Sequence, residues 1–89
     1  MNSGLPGADL IEAGLRDLNA GKETVAALVV SIGAPRLIRA GIEVAEPIDD
    51  AEHRLYKLLA REGHDDAHGR YNALVRRLVS FERALECAN

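Results

Sequence analysis

In the last quarter of the chain, apolar residues fall at Ala67, Tyr71, Leu74, Leu78, Phe81 and Leu85, at gaps of four, three, four, three and four. This heptad spacing puts all six on one stripe and predicts a helix from about Asp66 to Glu86. At roughly 1.5 Å per residue the helix is about 30 Å long, the width of a small domain. It needs a surface to pack on, in its own chain or in a second copy. Val75 and Val79 widen the stripe beyond a strict two-stranded seam, which predicts burial on two sides.

Upstream the pattern breaks into shorter pieces. Residues Met1 to Gly7, with two glycines, a proline and a serine, read as a loose lead-in. Leu10, Ile11, Leu15 and Leu18 form the stripe of a first helix, with Asp9 as cap or first-turn acid and Glu12 near the same positive end. Gly14 weakens that helix, and Gly21 suits the left-handed residue that follows it. A second helix is expected from Lys22 to Ile32. Val25, Leu28, Val29 and Ile32 line one face, and Ala26, Ala27, Val30 and Ser31 leave almost no polar side, so it belongs in the centre. The run Leu28 to Ile32 also fits a buried strand, but the two alanines favour helix.

Gly33 reads as a break and Pro35 as the first turn of a third helix, Ala34 to Ala40, closed by Gly41. Ile42 to Ile48 is an extended, acidic connection. Asp49 or Asp50 caps a fourth helix ending near Glu62 and Gly63, with Ala51, Leu55, Leu58 and Leu59 as its buried stripe. Asp65 or Asp66 caps the long last helix, and Gly69 marks a close approach. The link from Gly63 to Asp65 is short enough to make the last two helices antiparallel neighbours. The expected fold is all-α: one domain over residues 1–89, a compact bundle of about five helices with a long C-terminal helix.

Composition narrows the class. The 89 residues are 47% apolar, which argues against disorder, yet Tyr56, Tyr71 and Phe81 are the only aromatics. The core is therefore built from Leu, Ile, Val and Ala. With 11 basic and 14 acidic residues the net charge is −3, which argues against bulk nucleic-acid binding. Charge is unevenly spread: Glu43, Glu46, Asp49, Asp50 and Glu52 form an acidic run, and the last helix carries Arg70, Arg76, Arg77 and Arg83. A single cysteine, Cys87, cannot form an internal disulfide, so a reducing, cytoplasmic setting is expected. No secretory signal and no membrane span is expected, since no stretch approaches about 20 apolar residues.

Three groups of residues offer chemistry. His64 and His68 are four apart in His64-Asp65-Asp66-Ala67-His68, a spacing that ligates zinc when both lie on one helix. Gly63 and the paired aspartates put His64 ahead of the helix and no third ligand is near, so no metal, cofactor or catalytic set is assigned. The second and third predicted helices have the order of a helix-turn-helix, in which Arg36 and Arg39 would face DNA. Two arginines are few for reading base edges. Arg70 and Arg77, with Arg76 and Arg83, form two rows that suit phosphates, an acidic partner, or a dimer seam meeting the acidic run of the same or another chain. His53, Arg54 and Tyr56 share one helix without a second element that converges on them.

The leading expectation is a non-enzymatic, homodimeric module acting through protein–protein contacts on a helical surface. The alternative is a small DNA-binding regulator that uses residues 22–41 or the C-terminal arginines. Phe81 lies mid-stripe, so Phe81→Ala is expected to cost about 3–5 kcal/mol in a denaturant titration. Unchanged stability would contradict the stripe.

Overall fold

A computed structural model describes residues 4–63 and 66–88, and among them the chain forms four helices and no strand: α1 (Ala8–Asn19), α2 (Val25–Arg39), α3 (Ala51–Arg61) and α4 (Ala67–Ala88). The fold is all-helical with a long C-terminal helix, as the pattern predicts, but the count is four rather than five. The second and third predicted helices are one.

Their fusion has a physical cause. Gly33 is buried on α2 and a Cβ there would lie 2.6 Å from Leu78 Cδ1 and 2.8 Å from Glu82 Oε2. Its missing side chain admits α4; it does not mark a break. Pro35 sits inside the helix, where it removes one hydrogen-bond donor and costs about 3 kcal/mol. Burial on both sides of it offsets that cost. Ala27, Leu28, Val29 and Val30 precede it and Leu37 follows it, all with no solvent exposure. At about 25 cal/mol per Å2 of apolar surface, a fully buried Leu or Val contributes roughly 1.5–3 kcal/mol. A turn at Gly33 would sacrifice several such contacts.

The helix ends follow local chemistry. Thr24, not Lys22, starts α2: its hydroxyl accepts from the Ala27 N–H at 3.1 Å and donates to Asp17 Oδ2 at 2.6 Å. Gly21, at φ 72, follows α1 as expected, and the Lys22 N–H reaches back to the Asp17 carbonyl. Gly41 closes α2 the same way, with the Ile42 N–H on the Leu37 carbonyl. Asp66 caps α4, its carboxylate accepting from the Gly69 N–H at 3.1 Å.

α2 is the central element. It packs against α1, α3 and α4, and α3 also packs on α4. Gly14 brings α1 onto α2 closely enough that a Cβ would collide with the Ala26 carbonyl and the Val30 side chain. The N-terminus of α1 closes over α4, where a Cβ on Gly7 would stand 2.8 Å from the Arg77 carbonyl oxygen and 3.6 Å from Phe81 Cβ. Of the predicted α4 stripe, Ala67, Leu78, Phe81 and Leu85 are buried, while Tyr71 and Leu74 are partly so. That stripe is covered within the chain. The connection from residues 42 to 48 crosses α2 on another side, tied by Ser31, whose hydroxyl donates to the Ala27 carbonyl and accepts the Ile48 N–H at 2.9 Å.

The two close approaches differ in what they meet. At Gly14 the obstacle includes backbone, and at Gly33 only side-chain ends. Gly14→Ala is therefore expected to lower stability by about 2–3 kcal/mol, although alanine is the better helix former. Gly33→Ala should cost less, because Leu78 can rotate away. Equal melting temperatures for wild type and Gly14→Ala would contradict the packing.

Candidate interaction surfaces

Three surfaces carry the chain's polar and aromatic chemistry, and the helices that bear them set their geometry. On the α2–α4 seam, Glu82 is buried with 5% exposure against Gly33. Arg36 reaches it at 3.5 Å and holds both Glu86 oxygens at 3.1 Å. Burial pushes the Glu82 carboxyl above the usual carboxylate range, Arg36 opposes that shift, and Glu86 adds to it. The Glu86 hydrogen bond, joined by the charges of Glu82 and Glu86, raises Arg36 in turn. Arg36 is thus a strut between two helices. Arg39 is exposed and has no ion pair among the described residues.

The helix-turn-helix expected over residues 22–41 loses its turn, because Val25–Arg39 is one helix. Arg36 and Arg39 therefore do not sit on a separate recognition helix. The two arginine rows of α4 also diverge, since a helix turns about 100° per residue and sets them roughly a third of a turn apart. Arg77 is held by Asp9 of α1 at 3.1 Å, with Arg70 on the same flank. Arg76 and Arg83 face solvent on the outer side with no ion pair among the described residues. Among the described residues the acidic run forms no ion pair with these arginines.

The second surface lies where α3 meets the start of α4. Tyr56 is 43% exposed, with its ring centroid 6.0 Å from Tyr71 and 6.5 Å from His68. Burial raises the Tyr71 hydroxyl above its ordinary range, and the nearby charge of Glu52 adds to it. His68 is thus a ring partner of Tyr56 on the exposed first turn of α4. Its suggested zinc partner, His64, lies outside the described residues, and among the described residues no three His, Cys, Asp or Glu side chains converge as a metal site. The sequence carried a signal for this surface: two of the three aromatics, Tyr56 and Tyr71, lie on helices joined by a short link.

The third surface is the outward stripe of α3. Asp50, His53, Arg54, Lys57 and Arg61, with Glu23 and Leu58, line an open cleft of ≈ 410 Å³. Arg54 is tied to Glu23 at 2.8 Å. His53, Lys57 and Arg61 recur at four-residue spacing along one face, a pattern present in the sequence but overlooked beside the arginines of the last helix. An apolar-lined hollow between α1 and the connection, with Leu15, Ile42 and Val44, completes the relief. No helix among the described residues is long and apolar enough to cross a membrane. Comparison with known proteins finds no matching family model, no matching curated protein and no matching solved structure.

Glu82 generates a pH prediction with a definite sign. Its folded-state pKa is raised, so folding binds a proton and its contribution is fully present below the ordinary glutamate value. That contribution is lost as pH rises through the raised folded-state value. Glu82→Gln should flatten the stability profile across this acidic window, measured by denaturant titration at successive pH values. An unchanged slope would place the effect on another group.

Proposed function

We propose that the protein is a non-enzymatic interaction module that binds a protein partner through the α3–α4 helical surface and works as a homodimer in the cytoplasm. The observation that supports this reading is the placement of Tyr56. A chain with three aromatics leaves one of them 43% exposed, tilted against Tyr71 and edge-on to His68, rather than in its core. Tyrosine at such a position offers a large, rigid contact area at low entropic cost and is enriched at protein interfaces. The cations of α3 lie on the same helix and supply a polar rim.

The α4 stripe does not need a second subunit to cover it, so dimerisation is proposed through the surface and not through the core. The DNA-binding alternative retains the exposed Arg39, Arg70, Arg76 and Arg83 as phosphate contacts. It is the weaker reading, because residues 1–50 carry eight acids against four bases and would repel a duplex over much of the surface.

A photo-crosslinking residue at His68 tests the leading proposal. The expected result is one discrete protein adduct that disappears with Tyr56→Ser, while stability falls by no more than about 0.5–1.5 kcal/mol. An adduct pattern indifferent to Tyr56 would contradict it. A salt-sensitive mobility shift with duplex DNA would favour the alternative.

A further inference from the structure

We infer that the outward stripe of α3 pairs with the same stripe of a second copy, antiparallel about a two-fold axis beside His53 and Arg54. The acidic end of each stripe then faces the basic end of the other. This inference rests on the homodimer part of the proposed function and names the surface through which the two copies meet.

The stripe is polar in the electrical sense. Asp50, His53, Lys57 and Arg61 follow one another at spacings of three, four and four on one helical face, and all four are exposed. Glu46 and Asp49 extend its acidic end into the preceding connection. None of Asp50, His53, Lys57 or Arg61 has an ion pair or side-chain hydrogen bond among the described residues. Arg54, the cation nearest the axis, is already neutralised by Glu23.

Asp50 is the telling residue. It occupies the N-cap position of α3, where an aspartate ordinarily accepts a hydrogen bond from the first turn, yet its side chain caps nothing. It also holds a left-handed backbone, φ 56, that disfavours a side chain. An aspartate kept there without capping leaves a carboxylate free for an outside contact.

Antiparallel pairing satisfies both ends at once. Asp50 and Lys57 are seven residues apart, about 10 Å along the helix, and lie equally far on either side of the axis. Asp50 of each copy then faces Lys57 of the other, and Arg61 faces the region of Glu46 and Asp49. Leu58, partly buried at the edge of the cleft, adds an apolar floor. A foreign anion would meet Asp50 and Glu46 as well as the cations. A second copy meets each charge with its opposite. A two-fold axis also closes the assembly at two chains.

Light scattering on the full chain, at about 50 mM and about 500 mM salt, is the test. The expected mass is twice the 9.6 kDa of one chain at low salt, falling toward one chain at high salt. Asp50→Gly, which suits the positive φ, and Asp50→Lys should both give monomers with unchanged helix content. Lys57→Asp should also be monomeric alone, and mixing it in equal amounts with Asp50→Lys, which sets each new charge opposite its complement, should restore the dimer. A monomeric wild type at low salt, a dimer indifferent to Asp50, or a mixture that stays monomeric would overturn the inference. The Tyr56-dependent crosslink at position 68 judges the interaction reading separately, so the failure of one is not the failure of the other.

Discussion

Close approach at two glycines, Gly14 of α1 and Gly33 of α2, is the constraint on which the rest of the structure depends. Gly14 lets α1 touch the Ala26 carbonyl, and Gly33 lets Leu78 and Glu82 of α4 seat on the opposite part of the helix. A palette of Leu, Ile, Val and Ala has few large side chains with which to fill gaps, so the helices themselves must come close. Interiors are packed nearly as densely as organic crystals, and a methyl group at either contact would have to displace something. With a modest core, the bundle gains its stability from that proximity.

The same proximity sets the electrostatics of the seam. Once α4 lies against Gly33, Glu82 has little water left, and Arg36 is the residue on α2 able to reach it. Exposed ion pairs contribute little, but this carboxylate is desolvated and the guanidinium also holds Glu86. Arg36 is therefore committed to the fold. The charges left to meet a partner are those on the outer faces of α3 and α4, and the Tyr56 ring beside them. Folding thus separates the arginines into struts, Arg36, Arg54 and Arg77, and cations such as Arg61, Arg76 and Arg83 that have no ion pair among the described residues.

Periodicity made the helices legible wherever a stripe ran uninterrupted. The α4 stripe, the α3 residues Ala51, Leu55 and Leu59, and the closing glycines Gly21, Gly41 and Gly63 all stand where the spacing placed them. The error came at Gly33 and Pro35, two residues that ordinarily punctuate a helix. Local propensity argued for a turn, and tertiary packing overrode it, because only the fold reveals that Leu78 and Glu82 occupy the space above Gly33. Thr24 is illegible as the start of α2 for the same reason: Asp17, which fixes its hydroxyl, comes from the preceding helix. The surfaces were less legible than the core. The α3 cations were visible as a spacing, but which arginines are spent on ion pairs depends on which helices become neighbours, and no single segment encodes that.

Val25–Arg39 is one uninterrupted helix around which the other three assemble. Native-state hydrogen exchange resolved by residue tests it most directly. A continuous helix predicts that the amides of Gly33, Ala34, Arg36 and Leu37 are protected like those of Leu28 to Val30 and open only with global unfolding. Rapid exchange confined to residues 33–37, with protection on either side, would show two helices joined by a turn and contradict the account.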